Sequence, residues 1–279
     1  MSVLIGASDL LARSGRVVLL DVRWALGDDR GRERYLAGHL PGAVFVDLET
    51  ELADPPSPTA GRHPLPSVQR LQEAARRWGI RQDDAVVVYD ATRGLAAARA
   101  WWLLRWGGLS DVRILDGGLD AWSAAGGSFE TGDVVPEAGD VTLAGGGMPV
   151  LSIDEAAALP ASGGVLLDAR AGERYRGEVE PIDPRPGHVP GAVSAPTTDN
   201  LAPEGTFLRT TELVDRFVAL GVGPRRKVGV YCGSGVTAAH EVAALAAAGI
   251  EAALWPGSWS QWSADPDRPA ATGDFSAGA

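Results

Sequence analysis

Short runs rich in Val, Leu and Ile alternate along this chain with longer stretches of helical period. Residues 17–22, 85–89 and 112–115, and later 164–167, 227–231 and 252–255, are compact apolar runs bounded by turn formers. Runs of that length, without strict polar alternation, predict buried parallel strands. Between them, residues 67–78, 96–106, 211–220 and 236–248 place apolar side chains three and four apart, which predicts helices. Ser67 and Thr210 or Thr211 stand where N-caps belong, and Gly79, Gly107, Gly221 and Gly249 stand where helices stop. Strand and helix in alternation predict an α/β fold, a mainly parallel sheet with helices on both faces.

The pattern occurs twice. Val18-Leu-Leu-Asp21 returns as Val165-Leu-Leu-Asp168, and Gly38-His-Leu-Pro-Gly-Ala43 as Gly187-His-Val-Pro-Gly-Ala192. The helical stretch opening at Leu71 returns at Leu213, and Val86-Val-Val-Tyr-Asp90 returns as Val228-Gly-Val-Tyr-Cys232. Order is kept over a period far too long for a solenoid, so the expected organisation is two tandem domains, residues 1–127 and 149–279. The glycine-rich stretch 128–148 is read as the linker between them.

Composition narrows the function. The 279 residues are 45% hydrophobic and 22% charged, which is globular and not disordered. No apolar run reaches membrane-spanning length, and no basic segment precedes the first apolar residues, so neither a membrane span nor a secretory signal is expected. The net charge of −11 is uneven: −1 over residues 1–127 and −10 over the rest. An acidic half disfavours nucleic acid and anionic membranes as partners. With one cysteine and four histidines, no intramolecular disulfide is possible and no metal site or cofactor is expected.

That one cysteine carries the candidate chemistry. Cys232 ends an apolar strand and opens Cys232-Gly-Ser-Gly-Val-Thr237, after which an Ala-rich stretch begins a helix. Open α/β sheets place their ligands at this edge. Gly233 and Gly235 allow successive backbone N–H groups to face the sulfur, and the helix start adds positive partial charge. A thiolate so placed is a nucleophile. A cysteine phosphatase would need an arginine six positions on, but that position is Ala238, and Tyr231 precedes the cysteine.

Cys232-Gly-Ser-Gly-Val-Thr-Ala238 after its Val-x-Val-Tyr strand, in the second of two copies, resembles the rhodanese family. The narrower likeness is to its two-domain sulfurtransferases acting on 3-mercaptopyruvate or thiosulfate. Both Gly-His-x-Pro-Gly-Ala segments, Asp116-Gly-Gly-Leu-Asp-Ala-Trp122 and Gly257-Ser-Trp-Ser-Gln-Trp262 extend the likeness over nearly the whole chain. The resemblance implies that Cys232 becomes a persulfide and that the first copy, with Asp90 at the cysteine position, is silent. It implies a substrate site of Gly233, Gly235, Val236 and Thr237, with Arg174 and Arg185 for a carboxylate. It also implies a relay of Ser234, His63 and Glu49, the last two from the first copy.

The uncharged Gly-Ser-Gly-Val loop suits the monocarboxylate 3-mercaptopyruvate better than dianionic thiosulfate, which stands as the alternative; a non-catalytic sulfur-carrying or binding module is a further one. The implied partners are a small sulfur donor and an acceptor, either cyanide or a thiol such as a reduced thioredoxin-like protein, in the cytoplasm. His39 and His188, present in both copies, are expected to fix turns. His240 is expected on a solvated helix face, and Trp259 at the pocket wall.

Overall fold

The expected strands are all present, and very short edge strands flank them. The computed structural model describes residues 2–274. They fall into two units: unit 1 takes residues up to Asp54, Leu65–Met148 and Pro203–Phe207; unit 2 takes Pro55–Pro64, Pro149–Ala202 and residues from Leu208 onward.

The sheet of unit 1 contains β1 (Leu4–Ile5), β2 (Val17–Asp21), β3 (Val44–Phe45), β4 (Ala85–Tyr89) and β5 (Val112–Leu115), all parallel, in the order β1-β5-β4-β2-β3. All five residues of β4 are buried, as an unbroken apolar run at the sheet centre requires. Unit 2 repeats the plan with β6 (Val165–Asp168), β7 (Val193–Ser194), β8 (Val228–Tyr231) and β9 (Ala253–Leu254), again parallel, in the order β7-β6-β8-β9.

Side chains alternate across each sheet, so both faces need a cover. Leu166 and Tyr231 face a core with Leu159, Tyr175, Trp255, Trp259 and Trp262, supplied largely by the short helices Ile153–Ala158, Gly172–Arg176 and Ser258–Ala264. The helix Thr237–Ala247 packs against β8, β9 and the helix Thr210–Ala219.

The repeat extends to buried polar groups. Arg23 pairs with Asp21 and donates to the Gly38 carbonyl; Arg170 does the same with Asp168 and Gly187. Tyr89 and Tyr231 accept the backbone N–H of Leu40 and Val189 through their hydroxyls. His39 and His188 bond the Tyr35 and Tyr175 carbonyls and stack on those rings, which holds the Gly-His-x-Pro-Gly turns.

Some expectations change. Residues 128–148 form no helix or strand, yet they do not hang free. Val141 and Leu143 are buried in unit 1, Arg76 Nε donates to the Val141 carbonyl at 2.8 Å, and the Gly139 N–H donates to the Arg76 carbonyl. Arg209, rather than either threonine, is the N-cap of Thr210–Ala219, with the Glu212 carboxylate accepting its N–H. His240 is fully buried, its Nδ1 2.8 Å from Thr197 Oγ1, because the helix carrying it is covered on more sides than its period suggested.

Beside His240, Glu241 is also fully buried. Asn200 Nδ2 donates to it at 2.6 Å and Arg216 Nη1 lies 3.6 Å away. Burial outweighs these partners and raises the carboxyl from its usual 4.5 to about 7. An acid that keeps its proton longer in the folded state loses stability as pH rises, here between about 4.5 and about 7. Glu241→Gln should therefore gain on the wild type by ~1–3 kcal/mol between about pH 4.5 and about pH 8, read by urea denaturation. A pH-independent difference would show that Glu241 carries no such burial cost.

Candidate active site

Cys232 leaves the end of β8 and is held there by the segment after β9. Its N–H donates to Ser258 Oγ at 3.1 Å, and that hydroxyl donates to the Trp255 carbonyl. The Cys232 and Gly233 carbonyls accept the N–H groups of Trp259 and Ser260 at 2.9 and 2.8 Å. Those two bonds fix the first two peptide units of the loop. Gly235 N–H donates to Cys232 Sγ at 3.1 Å, and the cysteine is 1% exposed.

Gly235 has φ +78°, and a Cβ there would lie 2.5 Å from the Pro256 carbonyl oxygen. Both the left-handed backbone and the close approach exclude a side chain. Ser258 also has positive φ (+52°), a conformation disfavoured for serine that sets its hydroxyl under the cysteine N–H.

The repeat shows what such a loop does with an anion. In unit 1 the Asp90 carboxylate occupies the cysteine position and accepts four backbone N–H groups, from Thr92, Gly94, Ala96 and Ala97, at 2.8–2.9 Å. That loop is filled by its own side chain, and a carboxylate cannot accept sulfur.

Around Cys232, unit 2 gathers several of the expected residues. His63 Nδ1 lies 2.7 Å from Ser234 Oγ, both buried. The segment carrying His63 is fixed within unit 2: Arg62 N–H donates to Ser260 Oγ at 3.0 Å and Gln261 Nε2 to the Thr59 carbonyl at 2.6 Å. Arg174 also reaches the loop; a methyl carbon added at Gly233 would sit 3.5 Å from its Nη1. Val236 is buried and Thr237 opens the following helix.

Within unit 2, the side chains of Arg185 and Trp259 lie away from the loop. Arg185 spends its guanidinium on four carbonyls, those of Trp262, Ser263, Asp265 and Arg268, at 2.6–3.0 Å. It closes the C-terminal end of the helix Ser258–Ala264, where the last carbonyls need donors, rather than standing at the loop. Glu49 belongs to unit 1 and accepts from Trp24 Nε1 at 2.7 Å. Trp259 is a core residue under the Arg170 guanidinium, not an open wall.

Two site residues escaped the sequence reading. Arg62 Nη2 would sit 3.3 Å from a methyl carbon on Gly233, and Asp183 joins the two arginines, accepting from Arg62 Nη1 at 2.6 Å and Arg174 Nη2 at 3.1 Å. The signal available was Arg62 adjoining His63, together with an acid in the proline-rich stretch after Glu180. Glu180 completes the group: it accepts from Arg174 at 2.6 Å and from the Asp183 N–H. Burial pushes its carboxyl up, but the Arg174 bond and backbone N–H groups outweigh that and hold it below its ordinary value.

Comparison with known proteins agrees with this architecture. The rhodanese-like domain profile matches residues 7–125 and 152–265. The chain belongs to the rhodanese-like family. It is 51% identical to a Mycobacterium tuberculosis protein provisionally named thiosulfate sulfurtransferase SseB, over 97% of both chains. It is 48% identical to a Pseudomonas aeruginosa protein provisionally named 3-mercaptopyruvate sulfurtransferase, covering 97% of this chain and 98% of the relative. Among solved structures, the 3-mercaptopyruvate sulfurtransferase SseA of Escherichia coli matches with a TM-score of 0.82 at 35% identity, covering 93% of this chain and all of that one. The cysteine loop of this rhodanese-like chain thus sits on a fold shared along its length with sulfurtransferases.

Gly235 and Gly249 have nearly the same φ (+78° and +77°), but only Gly235 is crowded. Gly249→Ala should cost ~1–2 kcal/mol, the strain alone. Gly235→Ala should cost a further ~1–3 kcal/mol from overpacking. Equal losses in thermal melts would remove the close approach to Pro256 as a constraint on the loop.

Proposed function

We propose that this chain is a sulfurtransferase that takes the sulfur of 3-mercaptopyruvate onto Cys232 and passes it to a thiol or to cyanide. The observation that carries the reading is a buried thiol at a sheet edge, with a backbone N–H on its sulfur and the Ser234–His63 pair two residues away.

The chemistry follows from that placement. The Cys232 thiolate attacks the donor sulfur, and the sulfur–carbon bond breaks. The electron pair leaves on the pyruvate fragment as an enolate, and the proton of the donor thiol passes to its carbon. Pyruvate departs and a persulfide stays on Cys232. Ser234 Oγ, 2.7 Å from His63 Nδ1, is placed to move that proton. Loop N–H groups stabilise the charge left on the outer sulfur, as the Asp90 carboxylate is stabilised in unit 1. An acceptor thiolate or cyanide then removes the outer sulfur and restores the Cys232 thiolate.

With no second cysteine in the chain, discharge is intermolecular, and a reduced thioredoxin-like protein is the macromolecular acceptor that fits. No helix among the described residues is long and apolar enough to cross a membrane. A lone working thiol suits the reducing cytoplasm, where we place the reaction. Thiosulfate is the second reading, favoured by the name of the M. tuberculosis relative.

Steady-state comparison of the two donors tests the proposal. We expect ping-pong kinetics and a higher kcat/KM for 3-mercaptopyruvate. Ser234→Ala should lower kcat by about 10²-fold or more, with a smaller change in KM. A wild type that prefers thiosulfate would reverse the donor assignment, and sequential kinetics would remove the persulfide intermediate.

A further inference from the structure

The catalytic copy carries a stretch of chain that the silent copy lacks, and its outer side chains are apolar. We infer that this stretch, through Val179 and Ile182, is the docking surface for the protein that takes the sulfur from Cys232, a partner whose reactive thiol stands among uncharged, apolar side chains. The inference rests on the sulfurtransferase reading and concerns its second half-reaction.

The insertion shows against the repeat. In each unit a tyrosine stacks on a histidine whose Nδ1 bonds the tyrosine carbonyl: Tyr35 with His39, and Tyr175 with His188. The partners are 4 residues apart in unit 1 and 13 apart in unit 2, so unit 2 places nine more residues between the same two fixed points. The polar side chains of this stretch turn inward. Glu180 and Asp183 hold Arg174, which approaches Gly233 of the cysteine loop, and Arg185 closes the helix Ser258–Ala264. Val179 (49% exposed), Ile182 (39% exposed) and Pro181, Pro184 and Pro186 stand outward. Glu178, also exposed, has its carboxylate on Arg176. Scattered apolar side chains need no explanation, but five on one anchored stretch beside a nucleophile mark a contact surface.

The chemistry names the occupant. With no second cysteine in the chain, the sulfur must leave on another molecule. Cys232 is 1% exposed, so a protein thiol reaches it only with its surroundings pressed against the rim of the loop. On this side the rim is uncharged outside and held inside by Glu180, Asp183 and Arg185, so little order remains to be imposed on binding. So small a patch suits a transient redox encounter rather than a permanent complex. In the step it serves, the partner's thiolate attacks the outer sulfur of the Cys232 persulfide. The sulfur–sulfur bond breaks, its electron pair returns to Cys232 as thiolate, and the partner carries the persulfide. A second partner thiol then displaces that sulfur as hydrosulfide and closes a disulfide.

The test uses the full chain and a thioredoxin whose second active-site cysteine is replaced by serine and whose first carries thionitrobenzoate. The Cys232 thiolate displaces the coloured thionitrobenzoate and forms a mixed disulfide, so the rate is read by absorbance without a sulfur donor. The double variant Val179→Asp, Ile182→Asp should slow this reaction by about tenfold or more. Its reaction with the small disulfide dithiobis(nitrobenzoate) should stay within about twofold of wild type, as should kcat/KM with cyanide as acceptor. The swap Val179→Ile, Ile182→Val keeps the surface apolar and should trap at the wild-type rate. Val218→Asp, at an exposed valine on the helix Thr210–Ala219, should change neither reaction.

If the wild type transfers sulfur from neither 3-mercaptopyruvate nor thiosulfate but trapping still depends on the 179 and 182 pair, the activity reading fails and the docking surface stands. Trapping unchanged in the double aspartate variant, equal slowing with the small disulfide, or equal slowing in Val218→Asp would overturn the inference.

Discussion

Two backbone hydrogen bonds, from the Trp259 and Ser260 N–H groups to the Cys232 and Gly233 carbonyls, set the geometry on which the rest of the site depends. They fix the first two peptide units of the loop, and the N–H that follows them, that of Gly235, donates to the sulfur. The hydroxyl of Ser258 secures the cysteine N–H from the same segment. Gly235 makes the turn possible, and Arg185 stabilises the far end of the helix that donates the bonds. The catalytic loop is thus held from outside itself. This explains why residues around 257–263 and Arg185, none of which reaches the sulfur, belong to its machinery.

The chain of alternating charges from Asp168 to Arg62 extends that support outward. Arg170 is shared among Asp168, Glu180 and the Gly187 carbonyl, Arg174 is shared between Glu180 and Asp183, and Arg62 is held by Asp183. Breaking such a buried pair would strand the partner charge, which is costly. The first unit keeps the inner pair, Asp21 with Arg23, but closes its loop on Asp90. One architecture therefore supports an open nucleophile in one copy and a self-satisfied anion nest in the other.

Much of this was legible in the sequence, and the reasons are physical. Long apolar runs such as 85–89 can only be buried strands, and a repeated Asp-x-Arg or Gly-His-x-Pro-Gly segment marks a repeated turn. Cys232 followed by Gly-x-Gly declares its own loop. Two-residue edge strands such as Leu4–Ile5 have too few positions to show a period. His240 was misplaced because a helix covered on several sides has no polar face to find. Arg185 was expected at the loop and Arg62 was missed there because sequence spacing cannot say which arginine meets a helix end and which meets the loop. That decision is made in three dimensions, by which carbonyls lack donors.

The central claim is that Cys232 itself carries the sulfur, and the intact mass of the protein tests it most directly. After incubation with 3-mercaptopyruvate and removal of the donor, without acceptor, the wild type should gain about 32 Da. The gain should disappear on adding cyanide or a thiol and be absent from Cys232→Ser. A wild type whose mass is unchanged by both 3-mercaptopyruvate and thiosulfate, or a Cys232→Ser variant that gains the same mass, would contradict the account.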